Sequence, residues 1–298
     1  MWYLMENVQR SYTLSERLLD AIGVTAPTSC LGGKDEKVIV ENLLREGADV
    51  NQAHGTFVPI HSACMMGSVE IVAVLLKWGA DVNQLDGFHR SALHYAVEKS
   101  GECTQMLLQA GAETESRDLN RNTPLHWAAF RNRADCCRLL LQYHADVNAR
   151  DRNDDTPLSW AAMKGNLESV RVLFEYNAPP NVMSHARMLP LTRVGILLDG
   201  GLHTEEDETC FELLTRGMGR IELRVRRAEN PDALLLPFLL SRDVKLSFRL
   251  LDLCSAPRPL KALARFAVRQ ALGPTHLPSV IPLLRLPPSL CDYLLLEY

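Results

Sequence analysis

The string TPLHWAA, residues 123–129, returns almost unchanged as TPLSWAA at residues 156–162. Looser copies stand earlier, SALHYAV at 91–97 and VPIHSAC at 58–64. A second phrase keeps step with the first: LLREGADVN (43–51), LLKWGADVN (75–83), LLQAGAETE (107–115), LLQYHADVN (140–148) and a worn LFEYNAPPN (173–181). The period is 33 residues with one shortfall, because Leu93 to Gly111 spans 18 where Leu125 to His144 spans 19. The missing residue falls near Ser100 and Gly101, between two expected helices, where a deletion disturbs least. A fixed period of this length marks an architecture of repeats.

The residue chemistry of each copy agrees. Thr123 suits a helix N-cap, where its hydroxyl satisfies a free backbone N–H. Pro124 then takes the first helical position, where its missing N–H does no harm. Leu125, Ala128 and Ala129 make a narrow apolar face that lets a paired helix approach closely. Cys136, Leu139, Leu140 and Leu141 put a second apolar stripe at helical spacing. Gly79–Ala80 and Gly111–Ala112 suit a left-handed helix end. DRNDD, residues 151–155, is turn material.

T-P-L-H-x-A-A, then a helix, then G-A-D-V-N, resembles the ankyrin repeat, with the same positions matched in four consecutive units. The resemblance implies an all-α solenoid of helix pairs joined by β-hairpin loops. No unit of such a fold buries its own apolar face, so the units stack and build a long surface for a partner.

Around the repeats the chain divides as follows. Residues 1–34 are an N-terminal segment, with a short helix expected over 11–22 and a loop over 29–34. Residues 35–202 carry the repeats: half a unit at 35–51, four clear units over about 55–181 and a degenerate one, LPLTRVGILLDGG, at 189–201. Residues 203–253 read as a helical connector. Its first helix, 205–217, has Thr204 as N-cap and four acids in its first turn, a solvated helix start rather than a cation site. IELRVRR at 221–227 alternates like a strand, and 234–253 is apolar and helical in two pieces around Pro237. Residues 254–298 form the tail.

Composition narrows the function. Hydrophobic residues are 47% of the chain and the net charge is −4, which argues against a general nucleic-acid binder. The eight cysteines form no C-x-x-C pair. Cys103 and Cys136 share the repeat position of Ile71 and read as small core side chains. These features point to a reducing, cytoplasmic setting. MWYLMENVQR lacks the basic head and apolar run of a signal peptide. The longest apolar run, 233–240, is broken by Pro237 and too short to span a bilayer.

Three sets of repeat positions are candidate sites. His61, His94 and His126 recur in phase. Neighbours one repeat apart lie roughly 10 Å from each other by helix-packing distance, whereas metal–nitrogen bonds are about 2 Å. Hydrogen bonding between repeats is the expected role, with no metal and no cofactor. Tyr95, Trp127 and Trp160 follow those positions and are either a target-binding stripe or packing between repeats. The hairpin tips and nearby helix starts offer Phe88, His89, Arg90, Asn120, Arg121, Arg152 and Asn153, with Arg131 and Lys164 deeper in. No cysteine, histidine or acid sits in a catalytic signature, and a repeat surface offers no enclosed pocket. A catalytic reading is therefore set aside.

The tail decides what the repeats serve. APRPLKALARFAVRQALG, residues 256–273, places Leu260, Leu263, Ala264, Ala267, Val268 and Ala271 on one helix face, and Lys261, Arg265 and Arg269 on another. Gly273–Pro274 stops that helix. P-L-x-x-L-x-x-x-A-V, then L-G, then L-x-L-P-x-x-L-x-x-Y-L near 298 resembles a SOCS box (suppressor of cytokine signalling box), a three-helix module. A SOCS box behind ankyrin repeats resembles the ankyrin repeat and SOCS box proteins, and the match covers most of the chain.

That resemblance implies a non-catalytic substrate receptor of a cullin–RING ubiquitin ligase. The first box helix would dock in elongin C, which comes paired with elongin B. Leu260 would fill a hydrophobic pocket, with Pro259, Leu263, Ala264 and Val268 beside it. Ala264 stands where the motif commonly has cysteine. Leu284–Arg285–Leu286–Pro287 would select cullin-5 and its RING protein, with Arg285 where proline is usual. The repeats would hold an unknown protein target. The alternative is a plain ankyrin scaffold whose tail only caps the stack. Truncation after Leu253 is expected to separate them: a cap loses stability, whereas a receptor keeps its fold and loses elongin.

Overall fold

The computed structural model describes residues 2–23, 33–186, 188–199, 204–218, 259–284 and 286–296. Two helices lead the chain, α1 (Trp2–Ala21) and α2 (Gly33–Arg45). Among the described residues five helix pairs follow: α3 (Pro59–Met66) with α4 (Val69–Lys77), α5 (Ala92–Lys99) with α6 (Gly101–Gln109), α7 (Pro124–Phe130) with α8 (Ala134–Gln142), α9 (Pro157–Lys164) with α10 (Leu167–Glu175), and α11 (Pro190–Asp199) with α12 (Glu205–Gly217). The tail holds α13 (Leu260–Leu272), α14 (Leu277–Val280), a 3-10 turn (Ile281–Leu284) and α15 (Pro288–Leu295). The chain forms two compact units: residues 1–127 with 138–145, and residues 128–137 with 146–298. Among the described residues no helix is long and apolar enough to cross a membrane.

Three expectations change at the N-terminus and the hairpins. The first helix starts at Trp2 rather than near residue 11, and Gly33 and Lys34 open α2 instead of closing a loop. The hairpin loops carry no laddered strand among the described residues; an isolated bridge joins His54 and Phe57. Each tip is too short for a ladder. It is closed by a backbone bond across its ends, Asp86 N–H to Arg90 O at 2.9 Å, Asp118 to Asn122 at 3.0 Å, and Asp151 to Asp155 at 3.0 Å, with a second inside it from His89, Arg121 and Asp154 N–H to the same aspartates' carbonyls at 3.0, 2.8 and 3.2 Å. The strand and helices expected within 220–253 lie outside the described residues.

In the first unit the repeat phrase explains itself. The Ser91 N–H donates to His94 Nδ1 at 3.1 Å, and the Ser91 hydroxyl lies 3.0 Å from the same atom. Thr123 and His126 repeat the pair at 3.2 and 2.9 Å. Histidine thus takes the place that glutamate holds in a capping box. Its other nitrogen, Nε2–H, reaches the next hairpin: His61 to Gln84 O at 3.0 Å and His94 to Asn122 O at 3.1 Å. Burial pushes the His94 pKa down to about 4 and lowers that of His61, so both are neutral at pH 7. His61 and His94 therefore join repeats, as expected.

A second stitch lies at the other helix end. Gly79 and Gly111 are left-handed, at φ 82° and 90°. Asn51 Nδ2 donates to Gly79 O at 3.2 Å while its Oδ1 accepts the Asp81 N–H at 2.8 Å. Asn83 does the same to Gly111 O (3.2 Å) and the Glu113 N–H (2.9 Å). The short repeat is resolved at Ser100, a one-residue link that ends α5 and caps α6 by accepting the Cys103 N–H at 3.2 Å. Cys64 and Cys103 are buried, and burial raises both thiol pKa values.

The second unit packs α9 on α11, α11 on α12 and α13 on α15. Leu158, Ala161 and Ala162 of the second TPL-x-x-A-A copy are buried. Burying a leucine side chain contributes about 1.5–3 kcal/mol. Thr204 caps α12 as expected: its N–H donates to Asp207 Oδ2 at 2.8 Å and its hydroxyl accepts the Asp207 N–H at 3.3 Å. One of the four acids in that first turn is thereby used as a capping partner.

Candidate functional site

Helix α13 begins after Pro259 and ends at Gly273, whose φ is 67°. Its burial pattern is the reverse of an ordinary amphipathic helix. Leu260 is 84% exposed and Leu263 41%; Ala264, Ala267 and Ala271 are exposed as well. Arg265 and Arg269, by contrast, are only 8% and 5% exposed. Val268 leaves the exposed face. With Leu272, Cys291 and Leu295 it packs on the core of the tail, made of Leu277, Ile281 and Leu294.

The buried arginines meet helix ends. Arg265 donates to Arg216 O in the last turn of α12 and lies 4.3 Å above the Tyr293 ring. Arg269 donates to Phe174 O at 2.8 Å and to Leu294 O at 2.9 Å, with its guanidinium 5.5 Å from the Phe174 ring. Carbonyls at helix C-termini carry partial negative charge, which makes this burial tolerable. Burial, with Arg265 nearby, lowers the Arg269 pKa to about 10, so it stays charged at pH 7. Lys261, exposed, sits 4.1 Å over the other contact of this group, Tyr293.

The second half of the tail is also apolar outside. Leu283 is 77% exposed, and Leu284, Leu286, Leu290 and Pro287 are exposed too. Pro287 precedes α15 as its N-cap residue. Arg285 lies outside the described residues.

On the first unit, Phe88 is 48% exposed, and His89 and Arg121 are exposed in left-handed backbone at φ 58° and 63°. The Leu119 N–H donates to Phe88 O at 3.3 Å, joining two tips. Arg90 is pinned, 4.5 Å from the Trp127 ring and 5.6 Å from Tyr95. On the second unit, Arg152 is exposed at its tip. Lys164 and Arg131 lie over the Phe130 ring at 4.8 and 5.7 Å, and Phe130 meets Trp160 edge-on at 5.4 Å.

The aromatic positions turn out to have a shared structural task. Tyr95 Oη donates to Asp86 at 2.5 Å, Trp127 Nε1 to Asp118 at 3.3 Å and Trp160 Nε1 to Asp151 at 3.1 Å, each across nine residues. Each aspartate also accepts two tip N–H groups on its other oxygen, Oδ1. Sequence reasoning passed over these aspartates, although an acid nine residues before each aromatic was there to be read. It also missed the burial of Arg265 and Arg269, for which their i, i+4 spacing on a helix gave no signal.

Family models match in two places: ankyrin repeats over residues 28–118 and 93–184, and a SOCS box over 256–295. The chain is 61% identical over 296 residues to ankyrin repeat and SOCS box protein 8 of Mus musculus, covering 99% of this chain and 98% of that protein. The proteins of the same name from Homo sapiens and Bos taurus are 60% identical, again over 99% of this chain and 98% of theirs. These likenesses support a SOCS-box substrate adaptor. Identity at this level along nearly the whole length, with both modules in the same order, means that the chain belongs to the ankyrin repeat and SOCS box proteins.

Proposed function

We propose that the chain is the substrate-recognition subunit of an elongin B/C–cullin-5–RING ubiquitin ligase in the cytoplasm. The ankyrin repeats hold the target. Leu260, flanked by Pro259, Leu263 and Ala264, enters a hydrophobic pocket of elongin C, and Val268 supports the helix from within. Leu284, Arg285, Leu286 and Pro287 face cullin-5. The chain itself makes and breaks no bond: tethering raises the effective concentration of target lysines at the ubiquitin-conjugating enzyme.

The observation that carries this reading is the reversed burial of α13. A helix that merely closed the stack would turn Leu260 and Leu263 inward and its arginines outward. Here the leucines are free at 84% and 41% exposure while the arginines are fixed. An exposed apolar stripe on a well-held helix is suited to a partner's groove.

The test is co-expression with elongins B and C followed by size-exclusion chromatography. A stoichiometric ternary complex, lost on Leu260→Asp, is the expected result. A wild-type chain eluting alone, folded, would leave the plain scaffold as the correct reading. Truncation after Leu253 does not separate the two readings, because it removes the bonds from Arg265 and Arg269 to α12 and α10 in either case.

A further inference from the structure

The repeat turn that follows α10 is rewritten where it meets α13. Asn148 stands at the position of the stitching residues Asn51 and Asn83. In those stitches the side-chain oxygen accepts the N–H two residues past the left-handed residue that ends the next helix. After α10 the left-handed residue is Asn177, at φ 60°. Two residues on is Pro179, which has no N–H. Asn148 Oδ1 is accordingly buried without a hydrogen-bond partner. It borders a cavity of about 130 Å³ shared with Asn177, Pro179, Gly217, Phe266 and Arg269.

What the stitch loses, the tail gains. Asn177 replaces the glycine of Gly79 and Gly111, and its Nδ2 donates to Arg269 O at 2.6 Å and to Gly273 O. Those carbonyls belong to the last turn and cap of α13. From the same turn the Arg269 side chain reaches back to Phe174 O in α10 and across to Leu294 O in α15. The two residues thus bond in opposite directions across one contact. Gly217, at the end of α12, completes it, since a Cβ there would stand 2.8 Å from Phe174 Cε1.

We infer that Asn177 and Arg269 form a joint that ends repeat stitching and makes the tail the C-terminal cap of the last repeats, fixing the orientation of the Leu260 stripe. Both are positioning residues: neither faces the exposed apolar stripe. The joint does not depend on which partner that stripe takes.

Hydrogen–deuterium exchange on the full chain tests it. Asn177→Gly is the informative variant, because glycine adopts a positive φ more readily than asparagine. If residue 177 served only its own turn, the variant would protect α10 and α13 as well as wild type or better. The joint demands the opposite: amides in α13, α15 and the end of α10 exchange about tenfold faster together, with α3–α6 unchanged. Arg269→Met is expected to show the same pattern; if it does not fold, Asn177→Gly carries the test alone. Wild-type exchange across α13 and α15 in Asn177→Gly would overturn the joint. Elongin binding by the wild-type chain, measured in parallel, reports on the ligase reading separately.

Discussion

The Trp160 indole N–H donates to the buried carboxylate of Asp151 at 3.1 Å, nine residues upstream, while the other carboxylate oxygen accepts the N–H groups of Asn153 and Asp155 at 2.7 and 2.9 Å. One side chain therefore closes a hairpin tip and anchors it to the helix that follows. Trp160→Phe removes one bond to a charged acceptor and is expected to cost about 1–2 kcal/mol in urea unfolding. Asp151→Ala orphans three donors and should cost about 3 kcal/mol or more by the same measure. Equal costs for the two variants would mean that the carboxylate does not hold the tip.

The neutral histidines make stability fall in mild acid. Burial holds the His94 pKa near 4 in the folded chain, below the roughly 6.5 of an unfolded histidine. The folded state then binds fewer protons, so its contribution is whole above pH 6.5 and is lost as pH falls toward 4. The loss should approach about 3 kcal/mol, at about 1.4 kcal/mol per unit. His61, shifted in the same direction by burial, adds to the slope. His94→Gln should flatten the urea midpoint between pH 4 and 6.5, and an unchanged slope would put the sensitivity elsewhere.

The two faces of α13 predict opposite phenotypes for the same substitution. Leu263→Asp, on the exposed side, should leave stability within about 0.5 kcal/mol of wild type. Its elongin affinity should fall about 100-fold or more, since apolar anchors dominate such contacts. Val268→Asp places a charge in the tail core beside Leu277, Ile281 and Leu294, and should cost about 3 kcal/mol or more of stability. Thermal melts and elongin titrations on both variants separate docking from folding.

Arg285 replaces the proline usual in the proposed cullin motif, leaving the backbone less preset. Arg285→Pro is expected to tighten cullin-5 binding by the elongin-bound chain, read by calorimetry. An unchanged affinity would count against the alignment of that motif.

Most of the repeat architecture was legible before any coordinates. TPLH specifies a cap, a proline and a histidine within one helical turn, and those are short-range interactions that four residues settle between themselves. The 33-residue period then fixes which residues face a neighbouring repeat, hence His94 to Asn122 and Asn83 to Gly111. The exposure of Leu260 was legible only through resemblance, because periodicity cannot say whether an apolar face is covered by its own chain or left open. The tertiary structure decided that. It set Arg265 and Arg269 against the carbonyl ends of α12, α10 and α15, an electrostatic complement assembled from segments as many as 95 residues apart, and so left the leucines outside. It also decided the meaning of Asn177 and Pro179. In sequence they are wear on a repeat; in space one loses a stitch and the other makes a new one, because hydrogen bonds depend on what lies opposite.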